Sequence, residues 1–457
     1  MIGIGIMFLI PIVVDVIFLE NNFLNYLVGA LFSISIGMLL KKFFQKNNGR
    51  MRLKHGMIVS SIAWLWAGII GSLVMYLSIN LGFIDCFFEN MSALTGSGFS
   101  IFTNVEILPY SILFLRALEQ WIGGLGVVVM VLGVLTRPGT VSSKLYKSEA
   151  REERIKPSVS NTLHKTLNIY LVYTIAGIIL YICAGMPIFD SICNTFTTIS
   201  TGGMSIKNAN IGFYKNNLIY VITMILMILG ATSFLVHYRV VKTKGKAIFQ
   251  DIQFKVLISV IVIVSLLLYA LSNIMPMDIV FHTISAITTT GASISSSMTM
   301  SQWPAFVLLI IIVLMLLGGS SGSTVGSIKL IRVIIFIKGV YKKVKETLSP
   351  EGRVVTVKVS GHKIPEKAIG EAGSYISLYL IFILISWIVF CYYGYKPFDS
   401  LFEIISAQGN VGLSLGIIGH DLEPSLKLLT TFNMWIGRLE IIPVIVLLRS
   451  FFEVIRR

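Results

Sequence analysis

The chain has 457 residues, of which 55% are apolar and 13% are charged, and its net charge is +15. With a mean hydropathy of +0.83, this composition excludes an ordinary soluble or disordered protein. It indicates an integral membrane protein whose length is taken up by membrane spans. The basic charge does not indicate nucleic acid, because most Lys and Arg residues are gathered in alternate loops between apolar runs.

Ten apolar runs are each near the roughly 20 residues needed to cross a bilayer. They cover 2–19, 23–40, 57–81, 109–135, 166–186, 217–236, 255–272, 303–317, 374–393 and 428–449. The first run starts at Met1 without a basic stretch or a cleavage site, so we interpret it as a retained helix and not a signal peptide. By the positive-inside rule, the basic loops at 41–55, 137–165, 237–255 and 329–371 and both termini are predicted to be cytoplasmic.

Residues 1–55 contain the first two apolar runs and a basic end. They predict an accessory transmembrane hairpin with a tight outer turn at residues 20–22. The loop at 41–55 has basic but no acidic residues, which indicates a topology determinant or, as the alternative, a contact for anionic membrane lipid.

One short unit occurs four times in the rest of the chain. It consists of an Asp, about a turn of apolar residues, a run of small polar residues and a final Gly, and the Asp precedes the Gly by 13 residues in every copy. The copies cover 85–98, 190–203, 278–291 and 399–412. A fixed interval in four dissimilar segments is typical of an internal repeat, so the unit predicts one local structure used four times.

The two ends of the unit suggest its chemistry. Asp is a preferred helix N-cap, and Pro187, Pro276 and Pro397 lie just upstream, so a short helix is expected to begin at each Asp. The final Gly lets backbone carbonyls turn toward a neighbouring axis. A ring of carbonyl oxygens can replace the water shell of a cation, and the negative helix ends would point to the same place. Four units therefore predict a four-sided cation pore made by one chain.

We call the residues at and just before each final Gly the four filter segments, and we predict that their backbone binds the ion. They are Thr95, Gly96, Ser97, Gly98, Thr201, Gly202, Gly203, Thr289, Thr290, Gly291, Asn410, Val411 and Gly412. The predicted divisions of the chain are a transmembrane hairpin at 1–55, a first pore module at 56–136, a second module with a preceding cytoplasmic loop at 137–240, a third module with an intramembrane gating loop at 241–340, and a cytoplasmic loop with a fourth module at 341–457.

A second Gly recurs in the later span of each module. The four positions are Gly123, Gly230, Gly318 and Gly437. A small residue at a fixed depth lets helices approach closely or lets a helix bend. Packing and hinge roles both stay open from the sequence.

The third module contains an unusual segment, GGSSGSTVGSIK at 318–329, which we call the gating loop. So many Gly and Ser residues disfavour a regular helix, and irregular backbone at membrane depth is tolerated only against protein or a water-filled cavity. We predict a gate beneath the filter that blocks the inner cavity at rest, with a local defect of no function as the alternative. The predicted gate residues are Gly318, Gly319, Ser320, Ser321, Gly322, Ser323, Thr324, Gly326 and Lys329.

Arg438 and Glu440 lie in the last module, inside a span otherwise free of charge. An ionisable residue in a span is functional by default, and a positive charge near a cation path is a barrier, so Arg438 is predicted to belong to the gate. The alternative is a structural Arg438 neutralised by Glu440 or Glu119. A structural role is also expected for Arg116 and Glu119.

The remaining polar segments give weaker signals. Alternating Val and polar residues at 351–363 predict a small hairpin that a soluble partner could contact. His237, His282 and His362 are scattered, and Cys86, Cys183, Cys193 and Cys391 lack metal-ligand spacing. We therefore predict no metal site apart from potassium in the filter, and buried packing for the cysteines.

Together these segments resemble the Trk/Ktr/HKT superfamily of potassium transporters. The resemblance rests on GFS at 98–100, GMS at 203–205, GAS at 291–293, GLS at 412–414, the gating loop, QWIGGLG at 120–126 and GRLE at 437–440. The extra N-terminal hairpin is similar to the TrkH type of membrane subunit and not to the shorter KtrB type. One departure is that Ser, not Gly, follows two residues after each final Gly, so the filter is less regular than that of a tetrameric channel.

The resemblance implies an all-α membrane fold with four pseudo-repeated modules around one pore. It implies a homodimer with one pore per protomer in the cell inner membrane, potassium as the transported ion, no covalent cofactor, and gating by the loop and Arg438. It also implies a cytosolic ring of TrkA-like subunits that bind nucleotide and open the gate. Lys329 is similar to the family's lysine at the end of this loop.

Two other functions fit parts of the chain. GGSSG at 318–322 satisfies the G-x-S-x-G pattern of a serine hydrolase, which needs a positioned His, and His282 is the nearest candidate. Broken helices and repeats are also expected in an alternating-access carrier coupled to sodium or protons, although four copies around an axis suit a pore better. The sequence therefore predicts a potassium-uptake protein that is not an enzyme, with the carrier as the main alternative.

Overall fold

The computed structural model describes residues 1–44, 53–126 and 159–455, apart from positions 244, 246, 247, 351, 352, 354 and 360. The predicted loops at 41–55 and 137–165 lie largely outside the described residues. In chain order the described helices are α1 (Ile2–Met7), α2 (Ile10–Ile17), α3 (Phe23–Phe44), α4 (Leu53–Ser78), α5 (Phe83–Thr95), α6 (Tyr110–Leu125), α7 (Val159–Cys183), α8 (Ile188–Ile199), α9 (Asn217–Ala231), α10 (Phe234–Lys242), α11 (Ile252–Leu271), α12 (Pro276–Ile287), α13 (Ser297–Ser301), α14 (Ala305–Leu317), α15 (Leu330–Thr347), α16 (Glu366–Tyr392), α17 (Pro397–Gln408), α18 (Pro424–Arg438) and α19 (Ile442–Ile455).

The chain is an all-α membrane protein, as predicted. Within the described residues, each of the ten predicted crossings includes at least one helix, and the fourth, predicted at 109–135, is described only as far as residue 126. Helices α3, α4, α7, α11 and α16 are long and apolar enough to cross a membrane alone, and the pairs α9–α10 and α18–α19 pass the same test with bends of 101° and 114°. The other three predicted crossings correspond to shorter described helices, so their passage through the membrane stays a prediction.

The first predicted crossing is not one continuous helix. Helix α1 ends at Met7, and α2 begins at Ile10 with Pro11 as its second residue. Proline has no N–H to donate to the carbonyl of Met7, four residues earlier, and its ring crowds that position, which accounts for the break. The Ser33 hydroxyl of α3 donates to the carbonyl of Met1 at 2.9 Å, so α1 still packs along α3 as a hairpin.

Each repeated unit folds as a short helix held between two longer helices. Helix α5 packs between α4 and α6, α8 between α7 and α9, α12 between α11 and α14, and α17 between α16 and α18. Each short helix also contacts the later helix of the preceding unit, in the pairs α8–α6, α12–α9, α17–α14 and α5–α18. The last pair joins the fourth unit to the first, so the units form a closed circle.

The repeated Asp is not the N-cap of these helices, so that expectation is wrong. The N-cap positions are Gly82, Pro187, Met275 and Lys396, without side-chain cap hydrogen bonds, and each Asp is the third helical residue. The helices begin earlier because Pro276 and Pro397 occupy the first helical position, which suits proline. A carboxylate in the first turn still complements the positive end of the helix.

The predicted hairpin at 351–363 is present but shorter. Strands β1 (Lys358–Val359) and β2 (His362–Lys363) pair antiparallel. Gly361 in the turn has φ +82°, a conformation that glycine adopts without strain.

Candidate functional site

The four final glycines lie in a closed ring of backbone. A Cβ atom added to Gly98 would overlap the carbonyl oxygen of Gly202. The corresponding overlaps are Gly203 with Thr290, Gly291 with Val411, and Gly412 with Ser97. Each filter segment therefore contacts the next through the carbonyl before its final Gly, and the fourth contacts the first. A side chain at any of these glycines would collide with a neighbouring carbonyl.

The backbone conformation is repeated as well. In every segment φ is positive at the final Gly and again two residues earlier, at Gly96 (+71°), Thr201 (+54°), Thr289 (+52°) and Asn410 (+52°). Alternation of left-handed with ordinary φ turns successive carbonyls toward one side, whereas the carbonyls of a β-strand alternate. Positive φ at a β-branched residue such as Thr is a rare, strained conformation and is found mostly at functional sites.

The gating loop lies against the N-terminal ends of the filter segments. The hydroxyl of Thr324 lies 3.0 Å from the hydroxyl of Thr201 in the second segment. The N–H of Gly326 donates to the hydroxyl of Thr289 in the third segment at 3.1 Å. Both threonines with positive φ thus contact the loop through their hydroxyl groups.

The same loop is anchored to two more elements. The hydroxyl of Ser327, which sequence reasoning did not include in the gate, lies 3.2 Å from the carbonyl oxygen of Gly409, next to the fourth segment. The N–H of Ser321 donates to the side-chain oxygen of Gln253 on α11 at 2.8 Å. The loop is therefore held by hydrogen bonds to segments of the second, third and fourth modules.

Arg438 lies at the level of this loop. Its guanidinium donates to the carbonyl of Thr324 at 2.7 Å and to the carbonyl of Gly123 at 2.6 Å. It also lies close to Gly96 in the first segment. A cavity of about 30 Å³, room for about one water molecule, is lined by Arg438, Thr324 and Lys329 among others. A positive charge is therefore fixed under the ring and bound to the loop.

Comparison with known proteins agrees with this architecture. The family model for TrkH, a cation transport protein, matches residues 23–453. The chain belongs to the TrkH family. An uncharacterized cation transporter of Methanocaldococcus jannaschii is 38% identical over 456 residues, which cover 99% of this chain and 94% of that protein. The Trk system potassium uptake protein TrkH of Escherichia coli K12 is 27% identical over 433 residues, which cover 91% and 89%.

A solved structure supports the same assignment. The crystal structure of the potassium transporter TrkH from Vibrio parahaemolyticus matches with a TM-score of 0.85 at 25% identity, covering 97% of this chain and 95% of that one. TrkH-family members are transporters and not enzymes, as predicted for this chain. The hydrolase interpretation also fails on geometry, because His282 bonds the carbonyl of Asp278 and the hydroxyl of Ser293, away from the GGSSG segment.

The acidic residues considered as partners of Arg438 and Arg116 have the following contacts. Glu440 forms ion pairs with Lys329 and Arg332, so its two carboxylate oxygens are engaged by the loop end and by α15. Arg116 pairs with Glu89 at 2.8 Å, and both side chains are buried. Glu119, for which a structural role together with Arg116 was expected, makes no side-chain hydrogen bond within the described residues.

The recurring Gly of the later spans packs closely in three modules. Gly123, Gly230 and Gly437 each lie against a carbonyl at the end of the short helix in their own module, at Leu94, Ile199 and Gln408 respectively. Gly318 lies instead against Ser327 of the gating loop. The helices α6, α9, α14 and α18 all end within two residues of this Gly. The position thus combines close packing with an interruption of the span.

Beyond the ring, on the side away from the loop, lies a cavity of about 250 Å³. It is lined by Gly98, Gly412 and Arg116 among others, so it leads onto the ends of the filter segments.

Sequence reasoning missed Gln120, whose amide donates to the carbonyl of Gly202 at 2.9 Å and whose oxygen accepts from the N–H of Met204 at 3.1 Å. A lone Gln in an apolar span was the available signal.

The described residues contain no group of three His, Cys, Asp or Glu side chains placed to hold a metal ion. Cys86 and Cys193 are buried as predicted, whereas Cys183 is exposed on a helix surface and Cys391 is partly exposed. The expectation of buried packing is therefore wrong for Cys183, which lies near the end of a membrane helix where lipid can cover it.

Proposed function

We propose that the chain takes up potassium through a pore at the centre of the filter ring. The closed ring of four segments, with the same two positive φ positions in each, is the observation that carries this proposal. Carbonyl oxygens grouped in this way can replace the hydration shell of a potassium ion. The E. coli and Vibrio relatives, which are named as a potassium uptake protein and a potassium transporter, support potassium as the ion.

In this proposal potassium ions pass from site to site along the filter. The backbone oxygens of the thirteen filter residues predicted from the sequence form these sites. The glycines are needed because side chains would fill the space between neighbouring segments. Selectivity for potassium over sodium then depends on how firmly the segments are held apart.

In this proposal the gating loop and Arg438 close the pore at rest. The loop bonds to the inner ends of the second and third segments, and Arg438 bonds to the loop at Thr324. A fixed guanidinium under a cation path repels cations, so both groups have to move before ions pass. Opening therefore breaks several hydrogen bonds and displaces one charge.

The proposed setting follows from the family. The chain forms a homodimer in the cell inner membrane with both termini cytoplasmic, and a cytosolic TrkA-like subunit binds nucleotide and controls the gate. The names of the relatives, which refer to a Trk system, support a protein of several components. The basic loops predicted on one side supply contacts for that partner and for anionic lipid.

The test is the reversal potential of the purified protein in liposomes under opposed potassium and sodium gradients, for wild type and for Gly98→Ser. We expect the wild type to reverse near the potassium equilibrium potential and the variant to shift toward sodium. A flux far above roughly a thousand ions per second argues against an alternating-access carrier. The proposal fails if no flux occurs after a TrkA-like partner is added and part of the gating loop is deleted.

A further inference from the structure

A polar side chain occupies the same position behind each filter segment, nine residues before the final Gly. The four residues are Glu89, Asn194, His282 and Glu403. All are at most 2% exposed. A buried polar group is costly unless it is hydrogen-bonded, so the partners of these side chains indicate what they do.

Glu403 holds the irregular segment that follows the fourth filter segment. One of its carboxylate oxygens accepts from the hydroxyl of Ser414 at 2.7 Å, from the N–H of Leu415 at 2.8 Å and from the N–H of Ile417 at 3.3 Å. Ser414 is two residues after the final Gly. Three donors converge on one oxygen, so the outer end of this segment is fixed to its own short helix.

Glu89 makes the equivalent contacts in the first module. Its carboxylate accepts from the hydroxyl of Ser100 at 3.0 Å and from the N–H of Ile101 at 2.9 Å. It also pairs with Arg116, whose guanidinium donates to the carbonyl of Ser205 after the second segment at 3.2 Å. One carboxylate thus supports two neighbouring segments.

His282 repeats the contact with a different side chain. Its Nδ1 donates to the carbonyl of Asp278 in its own helix at 2.8 Å, which fixes the ring, and its Nε2 lies 2.9 Å from the hydroxyl of Ser293. Ser293 is again two residues after the final Gly. Three modules, two with Glu and one with His at this position, therefore share one kind of support.

The second module departs from this pattern. The amide of Asn194 donates to the hydroxyl of Tyr214 at 3.0 Å and makes no hydrogen bond to Ser205. The second segment is instead held by Arg116 and Gln120, which are one turn apart on α6 of the first module. Asn194 is thus a matched control: it occupies the same position but makes no hydrogen bond to the serine beyond the final Gly of its module.

We propose that Glu89, His282 and Glu403 are positioning residues for ion selectivity, whereas Asn194 is not. This inference rests on the proposed potassium pore. A carbonyl ring distinguishes potassium from the smaller sodium ion only while its backbone resists moving inward. In the first, third and fourth modules, a hydrogen bond from the serine beyond the final Gly to the short helix supplies that resistance.

The experiment compares potassium-to-sodium permeability ratios, from reversal potentials in liposomes, for Glu403→Met, Glu403→Gln and Asn194→Leu. Glu403→Met removes the acceptor at similar volume, and we expect the ratio to fall about tenfold, as for the loss of about one net hydrogen bond. Glu403→Gln keeps a carbonyl oxygen for the same donors and should stay within about threefold of wild type. Asn194→Leu should keep the wild-type ratio.

Thermal stability and monodispersity of the purified variants show whether each has folded. If Glu403→Met does not fold, Ser414→Ala removes a single donor and should lower the ratio in the same direction by a smaller factor. Folded variants at Glu403 and Ser414 with the wild-type ratio overturn the inference, as does an equal shift in Asn194→Leu. A wild type without potassium selectivity overturns the proposed function itself, so the two failures are distinguishable.

Discussion

At the scale of single residues, the filter depends on positions where the backbone leaves no room for a side chain. Gly291 has φ +70°, and an added Cβ atom would overlap the carbonyl of Val411. The sequence indicated these glycines through their fixed spacing. It did not indicate that Thr201, Thr289 and Asn410 also have positive φ, because a local propensity for ordinary φ is overridden here by contacts with distant segments.

Substitution of Gly291 by Ala should therefore abolish selective uptake. The left-handed conformation costs a non-Gly residue about 1–2 kcal/mol, and the collision with the Val411 carbonyl adds to that cost. We expect a lower melting temperature and at least a tenfold loss of potassium uptake in liposomes. The control is Gly370→Ala in α16, where an added methyl group meets no atom within 4 Å. Equal activity of the two variants would refute this role of Gly291.

Arg438 gives a second prediction at this scale. Arg438→Gln removes the charge under the ring while keeping an amide that can bond one of the carbonyls of Thr324 and Gly123. We expect basal potassium efflux from liposomes to rise about tenfold, since a unit charge at roughly 10 Å contributes more than 1 kcal/mol inside a protein. Arg449→Gln, at an exposed pair with Glu453, should leave the efflux unchanged. An unchanged or lower efflux in folded Arg438→Gln would contradict a gating role.

At the scale of elements, the gating loop shows what local sequence can and cannot predict. Its Gly and Ser content correctly predicted an interrupted span between α14 and α15. Its partners Thr201 and Gly409 lie about a hundred residues away in sequence, so only the folded chain shows that the loop bonds to the filter. For the same reason the partners of Glu440, at Lys329 and Arg332, were not predicted.

The loop predicts a leak when its bonds are weakened. Thr324→Val preserves shape but removes the hydroxyl that donates to the carbonyl of Gly230 at 3.0 Å and faces Thr201. Losing about 1–2 kcal/mol of closed-state stability should raise basal flux by about 5- to 30-fold. Thr347→Val is the control, because that hydroxyl bonds only within its own helix, to Lys343. Stopped-flow flux assays without the partner subunit measure both, and identical rates would show that the bond does not hold the gate shut.

At the scale of the whole molecule, the circle is closed between the two ends of the chain. Helix α5 packs against α18, and the buried Lys427 donates to a carboxylate oxygen of Asp85 at 2.6 Å. The four repeats were predictable from the fixed spacing of Asp and Gly. Their order around the ring, and the support of the second segment by α6, follow from packing between distant helices that no local pattern records.

This closure predicts energetic coupling between the first and last modules. Lys427→Met should destabilise the protein by about 3 kcal/mol, since it leaves a largely buried Asp85 without its cation. The double variant with Asp85→Asn should be less destabilised than the sum of the single variants, with a coupling energy of at least about 1 kcal/mol. Thermal unfolding in detergent measures all four proteins of the cycle. Strict additivity would show that the two residues do not stabilise each other.

Because the ring is closed by one polypeptide, each quarter of it is encoded separately. In an assembly of four identical subunits, one codon change alters four equivalent sites at once. Here a change at Gly291 or Glu403 alters a single quarter, while the other three keep their geometry. Mutation can therefore adjust ion preference in small, asymmetric steps, and the Glu, Asn, His and Glu found behind the four segments are the kind of divergence that such independence permits.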